Sequence, residues 1–138
     1  LLWQAANETV KVRMAPVFDN GTSLGYEILE RNMDDFYKSG RMRSYINKGR
    51  HHIRWRLHDE YLAQHIELLE LLANKYPTFA NRIKNKLNAF DMDSLKAIIA
   101  DCTKYKILIP LTEKRAEFVG HLIESRYLAI KERIEQHP

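Results

Sequence analysis

Thr112-Glu-Lys-Arg-Ala-Glu-Phe-Val-Gly-His-Leu-Ile-Glu-Ser-Arg-Tyr-Leu-Ala-Ile-Lys-Glu-Arg-Ile-Glu135 is the stretch that decides the fold. Ala116, Val119, Ile123, Tyr127, Ile130 and Ile134 recur in steps of three and four, the spacing that gathers side chains on one face of an α-helix. Thr112 stands where a hydroxyl can accept a hydrogen bond from the free amides of the first turn, so a long helix over about 113–136 is expected.

Upstream, the same periodicity repeats three times. Tyr61, His65, Leu68, Leu69 and Leu72, with Leu62, Ile66 and Ala73 beside them, make a broad apolar face that Pro77 should end. From about Thr78, Phe79, Ile83, Leu87 and Phe90 share one side, with Lys84, Asn85, Lys86 and Asn88 largely on the other. Asp91 or Asp93 can cap a third helix whose face is Leu95, Ile98, Ile99 and Cys102. Lys106-Ile-Leu-Ile-Pro110 is short and apolar and is expected to be a buried loop edge. Four amphipathic helices in succession bury their faces most simply against one another, as a bundle over 57–138.

Residues 1–56 are unlike this. They hold Gly21, Gly25, Gly40 and Gly49, four of the five glycines, and short apolar runs such as Tyr26-Glu-Ile-Leu29. Strands and loops with little regular helix are expected, apart from one or two turns in Glu30–Lys38. The fold class is therefore α+β, mainly α: a short β/loop segment followed by a helical bundle, in one compact unit.

The chain has 138 residues, of which 45% are hydrophobic, enough for an ordinary single-domain core. No run approaches the roughly 18 apolar residues of a membrane span, and no secretory leader is visible. A cytoplasmic protein with no membrane contact is expected. The one cysteine, Cys102, reads as a small apolar residue of a helix face.

The net charge is +4, and its source is local. Residues 39–56 carry five Arg, one Lys, two His and no acid. Arg41, Arg43, Lys48, Arg50 and Arg54 are candidates for binding phosphate, an acidic partner or a nucleic acid, with Tyr45 and Trp55 interleaved as base stacking requires. No RNA- or DNA-binding motif accompanies them. A solvated or salt-bridged surface is the plainer reading. His51-His52 is not read as a metal pair, because neighbours on an extended chain point to opposite faces. His58 and His65 share a helix face only if the helix begins early. No Gly-x-Ser-x-Gly elbow is present to make a serine hydrolase.

One carboxylate stands out. Val10-Lys-Val-Arg-Met-Ala-Pro-Val-Phe18 alternates as a strand does, and it breaks at Asp19 into the strong turn pair Asn20-Gly21. By itself this is a turn aspartate. Its context, Arg13-Met-Ala-Pro-Val-Phe-Asp-Asn-Gly-Thr-Ser-Leu-Gly-Tyr-Glu27, resembles the segment of HipA-like serine/threonine kinases that supplies their counterpart of the kinase DFG motif. Type II phosphatidylinositol 4-kinases also carry Asp-Asn-Gly at this point. A second block, Tyr45-Ile-Asn-Lys-Gly-Arg-His-His-Ile-Arg-Trp55, resembles a downstream stretch of some HipA-like sequences.

The resemblance implies that Asp19 holds the Mg²⁺ bridging the ATP phosphates, with Phe18 and Asn20 beside it in the nucleotide site and Ser23 a further outer partner. It implies a helical bundle laid out as a kinase C-lobe, a protein substrate and, as partner, a DNA-binding antitoxin of a toxin–antitoxin pair. The family's Asp-Arg-His-x-x-Asn catalytic loop and its ATP-pairing Lys are not found in the 138 residues. The opening Leu1-Leu2-Trp3 reads as the strand after that loop, so a fragment of a larger protein, inactive alone, is the expectation.

Overall fold

A computed structural model describes residues 24–38, 40–50 and 54–136, and the backbone of 2–6 and 9–13. The fold is mainly helical, as the periodicity predicts. The backbones of β1 (Leu2–Ala6) and β2 (Thr9–Arg13) pair antiparallel, with Leu2 opposite Arg13 and Ala6 opposite Thr9. A single 3-10 turn, Glu30–Asn32, leads into α1 (Met33–Lys38), followed by α2 (Arg41–Lys48), α3 (His65–Lys75), α4 (Pro77–Asn88), α5 (Met92–Cys102) and α6 (Glu113–Glu135).

The helix boundaries have local causes. Pro77 does more than end α3: it occupies the first turn of α4, where a missing N–H costs nothing, and Tyr76 is the junction between the two helices. Asp91 caps α5, its carboxylate accepting from the amides of Asp93 and Ser94 at 3.0 and 3.1 Å. Thr112 caps α6 through the amide of Arg115 at 3.1 Å. The face read from Tyr61 onward begins only at His65. Tyr61 and Leu62 lie before α3, where the Glu67 carboxylate reaches back to the amide of Gln64.

α6 is the spine, packed by α2, α3, α4 and α5. Towards its start, Phe118 and Leu122 meet Ile28, Met33, Met42 and Ile46 in one buried cluster. Phe36 packs its edge on Phe118 at 5.5 Å and meets Tyr45 at 5.9 Å. Towards its end, Ile134 joins Ala73 and Ala80, with Ile83, Leu87 and Ile130 against them. The register of Ala116, Val119 and Ile134 is buried as expected, but the two most deeply buried residues of the helix's first half are Phe118 and Leu122. A helix with neighbours on several sides buries more than one stripe.

Three expectations are corrected. Arg41–Lys48 form the regular helix α2, because Met42 and Ile46 at i, i+4 have the first cluster to enter. Ile98 is exposed, since α5 packs chiefly on α6 and buries no residue fully, and Phe90, beyond the end of α4, is exposed although its ring stacks on Tyr127 at 5.6 Å. The Lys106–Pro110 connector stands out in solvent instead of forming a buried edge.

Candidate functional site

Phe18, Asp19, Asn20 and Ser23 lie outside the described residues, as do His51 and His52. What is described is the chain directly after them. Gly25 has φ +69°, and a Cβ there would come within 3.0 Å of the Phe118 ring and 3.3 Å of Ile28 and Leu122. Both the left-handed backbone and the close approach select glycine. Ile28 closes the turn by donating its N–H to the Gly25 carbonyl at 3.0 Å.

That turn is clamped to the first turns of α6. The Arg115 guanidinium donates to the carbonyl oxygens of Gly25 at 3.0 Å and Ile28 at 2.6 Å. Thr112 Oγ1 donates to Glu30 at 2.6 Å, and Lys114 pairs with Asp34 at 2.8 Å. The last contact holds the Asp34 carboxyl below its ordinary range, chiefly through the hydrogen bond from Lys114. Sequence reasoning missed Arg115: an Arg in the first turn of a helix looks like surface charge, and nothing local reveals partners about 90 residues away.

The basic segment is divided by the fold. Arg41 sits 3.6 Å from Asp35 in an exposed ion pair, and Arg50 lies over the Tyr61 ring at 5.6 Å. Arg43, Lys48 and Arg54 are exposed, with no ion pair or ring contact from any described neighbour. The interleaved aromatics are half-buried, each set against other side chains. Tyr45 packs edge-on to Phe36, donates its hydroxyl to Glu27 at 2.5 Å and lies 5.9 Å under Arg126. Burial, reinforced by the hydrogen bond to Glu27, pushes its phenol up to about 12. The Trp55 ring faces Lys75 at 5.5 Å.

Between α1, α2, α3 and α6 lies a cavity of about 570 Å³. Met42, Ile46 and Leu128 supply apolar wall, and Arg43 and Asn47 of α2 and Arg133 of α6 supply polar wall. Arg133 is already held by Glu70 at 3.0 Å, while Arg43 has no ion pair among the described residues; Glu132 also lines the wall.

Among the described residues no group of three or more His, Cys, Asp or Glu is placed to hold a metal ion. His58 lies in a turn, outside α3, and His65 opens that helix against Gly49. Cys102 is free and half-buried at the end of α5. No helix among the described residues is long and apolar enough to cross a membrane. Comparison with family models, curated proteins and solved structures gave no match to the chain.

Proposed function

We propose that this chain is the C-terminal part of a HipA-like serine/threonine kinase, contributing the Mg-ATP-binding Asp19 and a helical C-lobe scaffold. The observation that carries the reading is the run Ala15-Pro16-Val17-Phe18-Asp19-Asn20-Gly21 at the end of an apolar alternating stretch. A magnesium ion there would neutralise charge on the transferred phosphoryl group. Asp19 supplies one carboxylate of such a site; in the family, the general base and second ligand sit in the catalytic loop upstream. The β/loop-then-bundle layout is the one this reading requires, and Arg115 ties the carbonyls of Gly25 and Ile28, further along the chain, to the start of α6.

The test is made on the gene product that includes the catalytic loop. Asp19→Ala should abolish γ-phosphoryl transfer to protein hydroxyls while the helical circular dichroism is retained. Unchanged transfer removes the metal role, and absence of an Asp-Arg-His-x-x-Asn pattern shortly before Leu1 in the gene removes the kinase reading altogether.

A second reading, a helical interaction or nucleic-acid-binding module, is favoured by one observation: Arg43 faces a mixed cavity while Lys48 and Arg54 stand exposed nearby in sequence. Binding to arbitrary DNA or RNA that weakens steeply with added salt supports it. No binding at low salt removes the nucleic-acid form.

A further inference from the structure

Three consecutive aliphatic side chains in the α5–α6 connector stand in solvent: Ile107 is 63% exposed, Leu108 98% and Ile109 81%. One exposed leucine carries no message, but a contiguous apolar run on a surface does. The two ends of this connector border a cavity of about 390 Å³ between α5 and α6, with Ala100, Ala116 and Gly120 in its wall. Gly120 lies inside the helix, where glycine weakens it, and apart from the adjoining backbone of its own helix and its two chain neighbours nothing described comes within 4 Å of the position its Cβ would take. No packing among the described residues therefore accounts for the missing side chain, which leaves the cavity wall open.

The charges around this cavity are unequal. Its lysines are occupied, Lys104 by Asp101 at 2.7 Å and Lys96 by Glu124 at 3.0 Å. Glu113 has no ion pair among the described residues, and Glu117 has only His121 at 3.8 Å. The rim is acidic. The connector that carries the three aliphatics also carries Lys106, a cation with no ion pair among the described residues.

We propose that this face is a homodimer interface, in which the Ile107–Ile109 loop of each protomer enters the α5–α6 cavity of the other and Lys106 meets the partner's acidic rim. A two-fold axis demands that knob and hole share one patch, and here they adjoin, since Thr103, Lys104 and Glu113 belong to both the cavity wall and the roots of the loop. The proposal uses neither Asp19 nor the basic segment, so it stands or falls apart from the kinase reading.

Sedimentation of the full chain over a concentration series tests it. The expected result is a monomer–dimer equilibrium that closes at two. Leu108→Asp and Gly120→Leu should each weaken it by about tenfold or more in Kd. Lys106→Glu should also weaken it, with recovery in the double variant Lys106→Glu, Glu113→Lys. Leu108 is so exposed that its replacement cannot unfold the monomer, and circular dichroism checks the fold of Gly120→Leu. A monomer at every concentration, as when the connector closes on its own cavity, overturns the proposal. So does self-association that ignores Leu108→Asp or grows past a dimer.

Discussion

Tyr45 shows how one residue changes meaning when its neighbours are known. In the sequence it is an aromatic among arginines, a candidate stacking platform. In the fold its ring packs on Phe36, its hydroxyl is bound by Glu27, and Arg126 covers it. The consequence is a pH dependence. In the unfolded chain the phenol ionises near pH 10, whereas in the folded chain it stays protonated to about 12. The unfolded state releases its proton first, so this contribution to stability is intact below about pH 10 and is lost as pH rises towards about 12. Tyr45→Phe should flatten the fall of Tm with pH over that interval. Tyr37, whose phenol is pushed up chiefly by burial, keeps part of the slope. An unchanged slope in the variant would show that Tyr45 is not held protonated.

At the scale of elements, the caps were the most legible features. Asp91 and Thr112 are short polar side chains placed just before apolar periodicity, and both accept from the amides that helix starts leave free. What the pattern does not contain is the second bond of Thr112, to Glu30, which ties α6 to the turn before α1. Thr112→Ala removes both contacts and should cost about 1–2 kcal/mol in denaturant unfolding, while Thr112→Ser retains most of the stability. An equal loss in both variants would place the effect in the methyl group instead of the hydroxyl. The connector 106–110 marks the opposite case. Its apolar composition predicts burial, but the short link from α5 to α6 leaves Leu108 outside, because burial depends on what surrounds a segment as well as on what it contains.

Across the whole molecule, α6 serves two clusters, Phe118 and Leu122 in one and Ile134 in the other. A shared central helix couples them. Phe118→Ala, at a fully buried position, should cost about 3–5 kcal/mol, a large share of the roughly 5–15 kcal/mol typical of a domain. The coupling predicts that unfolding of the variant stays a single transition, with coincident curves from circular dichroism and, in a Trp3→Phe background, from Trp55 fluorescence. Separated curves would mean that the two clusters unfold independently.

The sequence by itself determined the helical character of the segments that become α3 to α6, the Thr112 cap of α6, the α5 cap to within Asp91 or Asp93, and the concentration of positive charge in residues 39–56. Each of these follows from neighbours within a few positions along the chain: i, i+3 and i+4 spacing, a hydroxyl or carboxylate before a first turn, a proline after a last one. It also supplied the Asp19 motif, on which the functional proposal rests. Tertiary structure decided the rest. Arg115 reaching back to Gly25 and Ile28, Phe118 and Leu122 as core residues, Tyr45 drawn inward and Leu108 left outside all depend on contacts between distant residues. Such contacts are fixed only when the helices pack, since local periodicity states which face is apolar and not how many neighbours will cover it.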